Sequence, residues 1–141
     1  MTPTAVANLL YTAKVHTTGG REGGAVRSND GHIDLKTTPP GMGSGTNPEQ
    51  LFAAGWSTCF FSAIKLAAAQ KKIRISPEAA IDAEVDLFND GGADYSLKAR
   101  FNVHLPGVDP GMAKELTNTA HQLCPYSKAT RGNVELTINL I

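Results

Sequence analysis

The 141-residue, 14.9 kDa chain is long enough for one domain with a substantial core, so it needs no disulfide or metal staple to fold. Its 13 basic and 13 acidic residues cancel and form no block of one sign, which excludes the electrostatic footprint of a nucleic-acid binder or of an anionic-membrane binder. Small neutral partners fit this balance better.

Met1 to Asn8 lacks the basic start, long apolar run and cleavage site of a signal peptide, so a reducing cytoplasm is the expected location. In that compartment two cysteines without Cys-x-x-Cys or zinc-type spacing are seldom a structural staple. Leu9 to Thr18 mixes apolar and β-favouring residues and reads as a first strand, closed by Gly19-Gly20 with Arg21 immediately after. Ala25 to Ser28 and His32 to Thr37 flank the turn signal Asn29-Asp30-Gly31 and form a short hairpin. Pro39-Pro40-Gly41-Met42-Gly43-Ser44-Gly45 is a loop that delivers the chain to the next helix.

That helix occupies the stretch from Asn47 to Lys72. Asn47 suits the cap, Pro48 the first helical position, and Gln50 the return bond of a capping box. From Leu51 to Ala69 apolar residues fall on every side, so the helix is expected to be central and covered all round. Its length of roughly 35–40 Å would reach across a bilayer. A membrane role is not expected, because Gly55, Ser57, Thr58, Ser62 and Lys65 interrupt the run and no second apolar segment or basic flank supports insertion.

Ile73-Arg74-Ile75-Ser76-Pro77 breaks the helix, and Ile81, Ala83, Val85 and Leu87 then alternate with Asp82, Glu84 and Asp86 as in a half-buried strand. Asn89-Asp90-Gly91-Gly92 turns it into a return strand in which Leu97, Ala99, Phe101, Val103 and Leu105 alternate with Lys98, Arg100, Asn102 and His104. Asp109 caps a second helix with Pro110 at its first position and a stripe of Met112, Leu116, Ala120 and Leu123, closed by Cys124-Pro125. Val134, Leu136, Ile138 and Leu140 form a last strand. The order predicts a single α+β domain over residues 1–141, with antiparallel sheet around a long buried helix. One modest sheet and one short helix would not cover an all-apolar helix, so a second copy of the chain is expected to supply the rest.

Cys59 on this helix would ordinarily be inert packing, and burial would raise its pKa, so a reactive Cys59 needs a cation. Lys65, Arg21, Arg27 and Arg131 are the options. Glycine pairs on both sides of Arg21 suit a loop of close backbone approach, although an exposed loop arginine would be the ordinary reading. Glu49 in the first helical turn is already accounted for by the helix dipole. Cys124 is equally consistent with core packing and with a redox partner. The four histidines show no metal-ligand pattern beyond His121-x-x-Cys124, so no metal is expected, and the Gly41 to Gly45 loop lacks the Gly-Lys-Ser/Thr of a phosphate cradle.

Taken together, Thr18-Gly19-Gly20-Arg21-Glu22-Gly23, the run from Gly45-Thr46-Asn47-Pro48-Glu49-Gln50 to Trp56-Ser57-Thr58-Cys59-Phe60, and Cys124-Pro125-Tyr126-Ser127-Lys128-Ala129-Thr130-Arg131-Gly132-Asn133 resemble the Ohr/OsmC family, in its organic hydroperoxide resistance branch. The resemblance spans nearly the whole chain, with Glu22 where Asp is more common and Trp56 where Tyr is common. It implies an intertwined homodimer and a cysteine-based peroxidase acting on alkyl, aryl or fatty-acid hydroperoxides. Cys59 would be the peroxidatic thiol, Cys124 the resolving thiol, and Arg21 and Glu49 the polar pair around Cys59. It also implies no bound cofactor and recycling by dihydrolipoamide or lipoylated proteins. Phe52, Trp56, Phe60, Phe61 and Tyr126 lie near the thiols in sequence and are candidates for an apolar substrate pocket. Two rivals remain at this point. An OsmC-branch peroxidase would differ in its relative turnover of organic hydroperoxide and hydrogen peroxide, and a non-enzymatic binder of apolar ligands would be indifferent to Cys59→Ser.

Overall fold

The computed structural model describes residues 7–141. Met1 to Val6, on which part of the leader-peptide expectation rests, lie outside the described residues. The chain divides into two compact units between Asn47 and Pro48.

In the first unit β1 (Val15–Thr18), β2 (Gly24–Ser28) and β3 (Asp34–Thr37) form an antiparallel sheet in that order. The strand expected from Leu9 begins only at Val15. β2 offers partners from Ala25, opposite Thr18, to Ser28, opposite Val15, and then turns away, so the earlier residues have no β2 neighbour. Leu9 and Leu10 are accordingly 84% and 93% exposed. β3 also starts later than expected, because the turn consumes its first N–H groups: His32 donates to the Asp30 carboxylate at 3.0 Å and Ile33 to Ser28 Oγ at 2.8 Å. The Pro39 to Gly45 segment is a loop whose ends are tied by Thr46 N–H to Lys36 O at 2.8 Å and Thr38 N–H to Thr46 O at 3.0 Å.

The second unit is built on α1 (Pro48–Gln70), which starts at the proline as expected and unwinds where Lys72 takes a left-handed φ of 57°. β4 (Ala80–Asn89) and β5 (Tyr95–His104) form the long antiparallel hairpin, with Ala83 opposite Phe101 and Glu84 opposite Arg100. Alternation then does what the pattern requires. Ala99, Phe101 and Val103 are buried inward, while Arg100 turns outward onto Glu84 and Asp86, whose carboxyls it holds below their ordinary range. α2 (Pro110–Leu123) is capped by Asp109, whose carboxylate accepts from the Gly111 and Met112 N–H groups. A third helix, α3 (Pro125–Thr130), follows directly and was not expected. β6 (Glu135–Leu140) pairs with β5 in parallel rather than antiparallel sense, which corrects the all-antiparallel expectation within an otherwise α+β fold. The physical reason is the connection: α2 and α3 carry the chain back across the sheet, so β6 runs in the direction of β5.

The expectation that α1 is covered on every side is not met within one chain. Trp56, Phe60, Ala63, Ile64, Ala67 and Ala68 make one buried stripe, whereas Leu66 is 52% exposed. By length and composition α1 would also cross a membrane, with mean hydropathy 1.4, but here its stripe is the core of the second unit. Trp56 and Phe60 meet Phe101 edge-on at centroid distances of 5.1 and 5.2 Å.

Candidate active site

Arg21 belongs to the first unit and both thiols belong to the second. Arg21 sits in the loop between β1 and β2, which the flanking glycines make tight. A Cβ on Gly19 would stand 2.7 Å from the Gly24 Cα, and one on Gly24 only 2.2 Å from the Thr18 carbonyl, so neither position admits a side chain. Thr37, buried on β3, clamps the loop by donating its hydroxyl to Gly20 O at 2.6 Å and accepting from Gly24 N–H at 3.0 Å. The loop backbone is thus one of close approach, as the glycine pairs suggested.

In the second unit both cysteines are free, and their Sγ atoms lie 3.2 Å apart, within thiol hydrogen-bond range and roughly 1 Å beyond a disulfide bond. α1 brings Cys59 and the α2–α3 junction brings Cys124, which closes one helix and opens the next. Pro125 enforces this break, because it suits the first position of α3 and cannot continue α2. Cys124 is fully buried and Cys59 only partly so. Burial pushes the Cys59 thiol above its ordinary pKa, contact with Cys124 adds to the rise, and the Tyr126 backbone N–H, which hydrogen-bonds Cys59, pulls it back.

Four of the five candidate pocket aromatics surround this pair. Phe52 stacks at a tilt on Trp56, with centroids 5.4 Å apart, and packs against the same cluster that holds Phe60 and both sulfurs. Trp56 and Phe60 are wholly buried behind them, whereas Tyr126 is 42% exposed. The Tyr126 ring lies against Gly55, where an added Cβ would meet its hydroxyl at 3.2 Å. Phe61 is set apart. It points away from Cys59 across the helix, into a cavity of about 310 Å³ shared with Ser57, Thr58, Ser62, Lys65 and Ile81. Glu49 stands in the first turn of α1, about 15 Å along the axis from Cys59.

Two residues of the site carried no assigned role in the sequence. Ser127 is fully buried and accepts a hydrogen bond from Trp56 Nε1 at 3.1 Å. His121 lies one turn before Cys124, 6.5 Å from the Phe60 ring between centroids, and its buried Nδ1 has no partner among the described residues. Burial and then the Arg131 charge lower its pKa, which keeps the imidazole neutral at neutral pH. A serine in a Cys-Pro-Tyr-Ser run and a histidine beside a helix stripe carry no distinguishing sequence signal; the burial of Ser127 and of the His121 Nδ1 atom marks them. Among the described residues no three His, Cys, Asp or Glu side chains converge as metal ligands would.

The family model described as OsmC-like protein matches residues 41–139. The chain is 44% identical over 137 residues to the organic hydroperoxide resistance protein of Xanthomonas axonopodis pv. citri (strain 306), covering 94% of this chain and 95% of that protein. The crystal structure of the organic hydroperoxide resistance protein OhrB of Bacillus subtilis superposes with a TM-score of 0.87 at 41% identity, covering 94% of this chain and all of that one. A Legionella pneumophila organic hydroperoxide resistance protein follows at TM-score 0.86 and 37% identity, covering 94% of this chain and 98% of that one.

Proposed function

The chain belongs to the OsmC-like protein family, and on that premise we propose that it is a thiol-dependent peroxidase that protects against organic hydroperoxides by reducing them to alcohols. The observation that carries this reading is the pair of free thiols 3.2 Å apart in an apolar cluster. Cys59 is the peroxidatic residue, since it is the more accessible of the two and the one that receives the Tyr126 N–H. Its thiolate attacks the hydroperoxide oxygen that bears hydrogen; the O–O bond breaks, the alkoxide leaves with the bonding pair and takes a proton to become the alcohol, and Cys59 becomes a sulfenic acid. The Cys124 sulfur then attacks the Cys59 sulfur, a disulfide forms, and the hydroxyl departs with a proton as water. A dihydrolipoyl group returns both thiols by exchange and leaves as the cyclic disulfide.

Burial and the second thiol both work against a Cys59 anion, so the mechanism needs a cation. We assign that role to Arg21, with Glu49 orienting the guanidinium by a bidentate contact, as the family resemblance implies; because Glu49 stands about 15 Å along α1 from Cys59, the pair would serve the Cys59 of a second copy of the chain. A second copy of the chain, covering the exposed part of α1 to make a homodimer, belongs to the same proposal. So does the reducing cytoplasm as the site of action. Phe52 and Tyr126, at the rim of the thiol cluster, favour apolar alkyl, aryl or fatty-acid substrates over hydrogen peroxide.

The sign of the arginine's effect is testable. The reactive form is the deprotonated one, so Arg21→Ala should move the rise of the Cys59 oxidation rate to higher pH and slow it roughly 10- to 100-fold at neutral pH. The deficit should shrink as pH increases; rate profiles with the same midpoint in both proteins would remove Arg21 from thiolate stabilisation. The reading as a whole is tested by stopped-flow oxidation of the reduced protein with an alkyl hydroperoxide and with hydrogen peroxide, followed by turnover with dihydrolipoamide or thioredoxin. Faster reaction with the alkyl hydroperoxide and turnover on dihydrolipoamide are expected. Equal peroxide rates would favour the broader OsmC-type activity, and no reaction with either would leave a binding protein.

A further inference from the structure

The peroxidase reading requires Cys124 to find the Cys59 sulfenic acid, and the structure shows what holds the two elements in reach. Trp56 stands on α1 one turn before Cys59, and Ser127 stands on α3 one turn after Cys124. Their side chains meet in a hydrogen bond, Nε1–H to Oγ at 3.1 Å, with both residues 0% exposed. The thiol contact is therefore flanked on each of its two helices by the same buried tie.

α3 needs such a tie. It is six residues long, too short to be stable as an isolated helix, and its capping residue Cys124 makes no side-chain cap bond. Both of its ends are fastened to α2, by the Cys124 N–H to Ala120 O at 2.8 Å and by the Arg131 guanidinium to His121 O, and neither bond reaches α1. The Tyr126 ring rests on Gly55, a contact of packing without direction, and the Tyr126 N–H bond to Cys59 ends on the reacting sulfur itself, which changes when it is oxidised. The indole N–H is directional, and in a dry core it has no water to exchange for the serine hydroxyl.

We propose that the Trp56–Ser127 hydrogen bond is a latch that positions Cys124 against Cys59 for disulfide closure, and so makes Trp56 and Ser127 positioning residues for the second step of the cycle. This rests on the peroxidase reading and deepens it. Closing a bond between two groups already held in contact is effectively unimolecular, and misplacement by about 1 Å costs on the order of 100-fold in rate. Without the tie α3 keeps its packing but not its distance.

The experiment oxidises reduced wild type, Ser127→Ala, Trp56→Phe and the double variant with one equivalent of an alkyl hydroperoxide, then quenches with dimedone or an alkylating agent for mass spectrometry at successive times. In Ser127→Ala the loss of the Cys59 thiol should keep its wild-type rate, while disulfide closure falls roughly 10- to 100-fold and the sulfenic acid becomes trappable. Trp56→Phe removes the same bond from the other end and should slow closure comparably, and the double variant should be no slower than the slower single variant. Should Ser127→Ala fail to fold because the indole N–H is left unpaired, the double variant, which lacks both partners, carries the test. Wild-type closure in the variants, or a double variant whose loss is the product of the single losses, would overturn the latch. Wild-type protein that consumes hydroperoxide without forming a Cys59–Cys124 disulfide would overturn the two-thiol cycle itself, a different failure visible before any variant is made.

Discussion

Cys59→Ser is expected to reduce hydroperoxide consumption to the uncatalysed background while leaving the fold intact. Serine differs from cysteine by one atom and can keep the Tyr126 N–H contact, but a hydroxyl at neutral pH is neither ionised nor able to form a sulfenic acid. The partly exposed position also accommodates the polarity of the hydroxyl better than the buried Cys124 position would. Consumption of an alkyl hydroperoxide, followed by a dye-based peroxide assay, together with the far-UV spectrum and the thermal midpoint, separates loss of chemistry from loss of fold. Undiminished consumption in a folded Cys59→Ser protein would be incompatible with a thiol peroxidase and would favour a binding protein.

Cys124→Ser should give the complementary result: one equivalent of hydroperoxide consumed at close to the wild-type rate, followed by arrest. In the proposed cycle Cys124 takes no part in breaking the O–O bond, and the first step draws on the Cys59 thiolate and its cation. Once Cys59 carries its hydroxyl, however, the atom 3.2 Å away is an oxygen that cannot form the disulfide, so dihydrolipoamide has no disulfide to exchange with. Mass spectrometry should show a Cys59 sulfenic acid that converts with excess hydroperoxide to the sulfinic acid, which thiols do not reverse. Multiple turnovers on dihydrolipoamide in this variant would show that the sulfenic acid is reduced directly and that Cys124 is packing.

The outer face of the β4–β5 hairpin is occupied by an ordered charge network in which Arg100 contacts Glu84 and Asp86, and Glu84 also accepts from Asn102. These side chains are substantially exposed, so the network contributes little to stability and serves chiefly to keep that face soluble. The large apolar side chains left exposed among the described residues are spread over both units, with Leu9, Leu10, Val15 and Leu35 in the first and Leu66, Leu87 and Phe88 in the second.

Local sequence was sufficient wherever the signal is local. Pro48 and Asp109-Pro110 marked the helix starts, alternation marked β4 and β5, and Asn89-Asp90-Gly91-Gly92 marked their turn, because caps, pleats and positive-φ turns are decided within a few residues. The glycines around Arg21 likewise announced a loop of close backbone approach, since only residues without a Cβ fit it. Pairing was not local. The Leu9 strand stopped short because its neighbour turned away, and β6 ran parallel because two intervening helices reversed the chain. α3 is not legible in the sequence, because six residues without an apolar stripe have no periodicity to read. At the site, the thiol types and the motifs around them were legible in the sequence, and with them the family. Their meeting at 3.2 Å, the depth that separates an accessible Cys59 from a buried Cys124, and the Trp56–Ser127 bond that ties their helices are decided by tertiary packing. Distances between residues far apart in the chain depend on how whole elements fill a common core, and no short window of sequence contains that information.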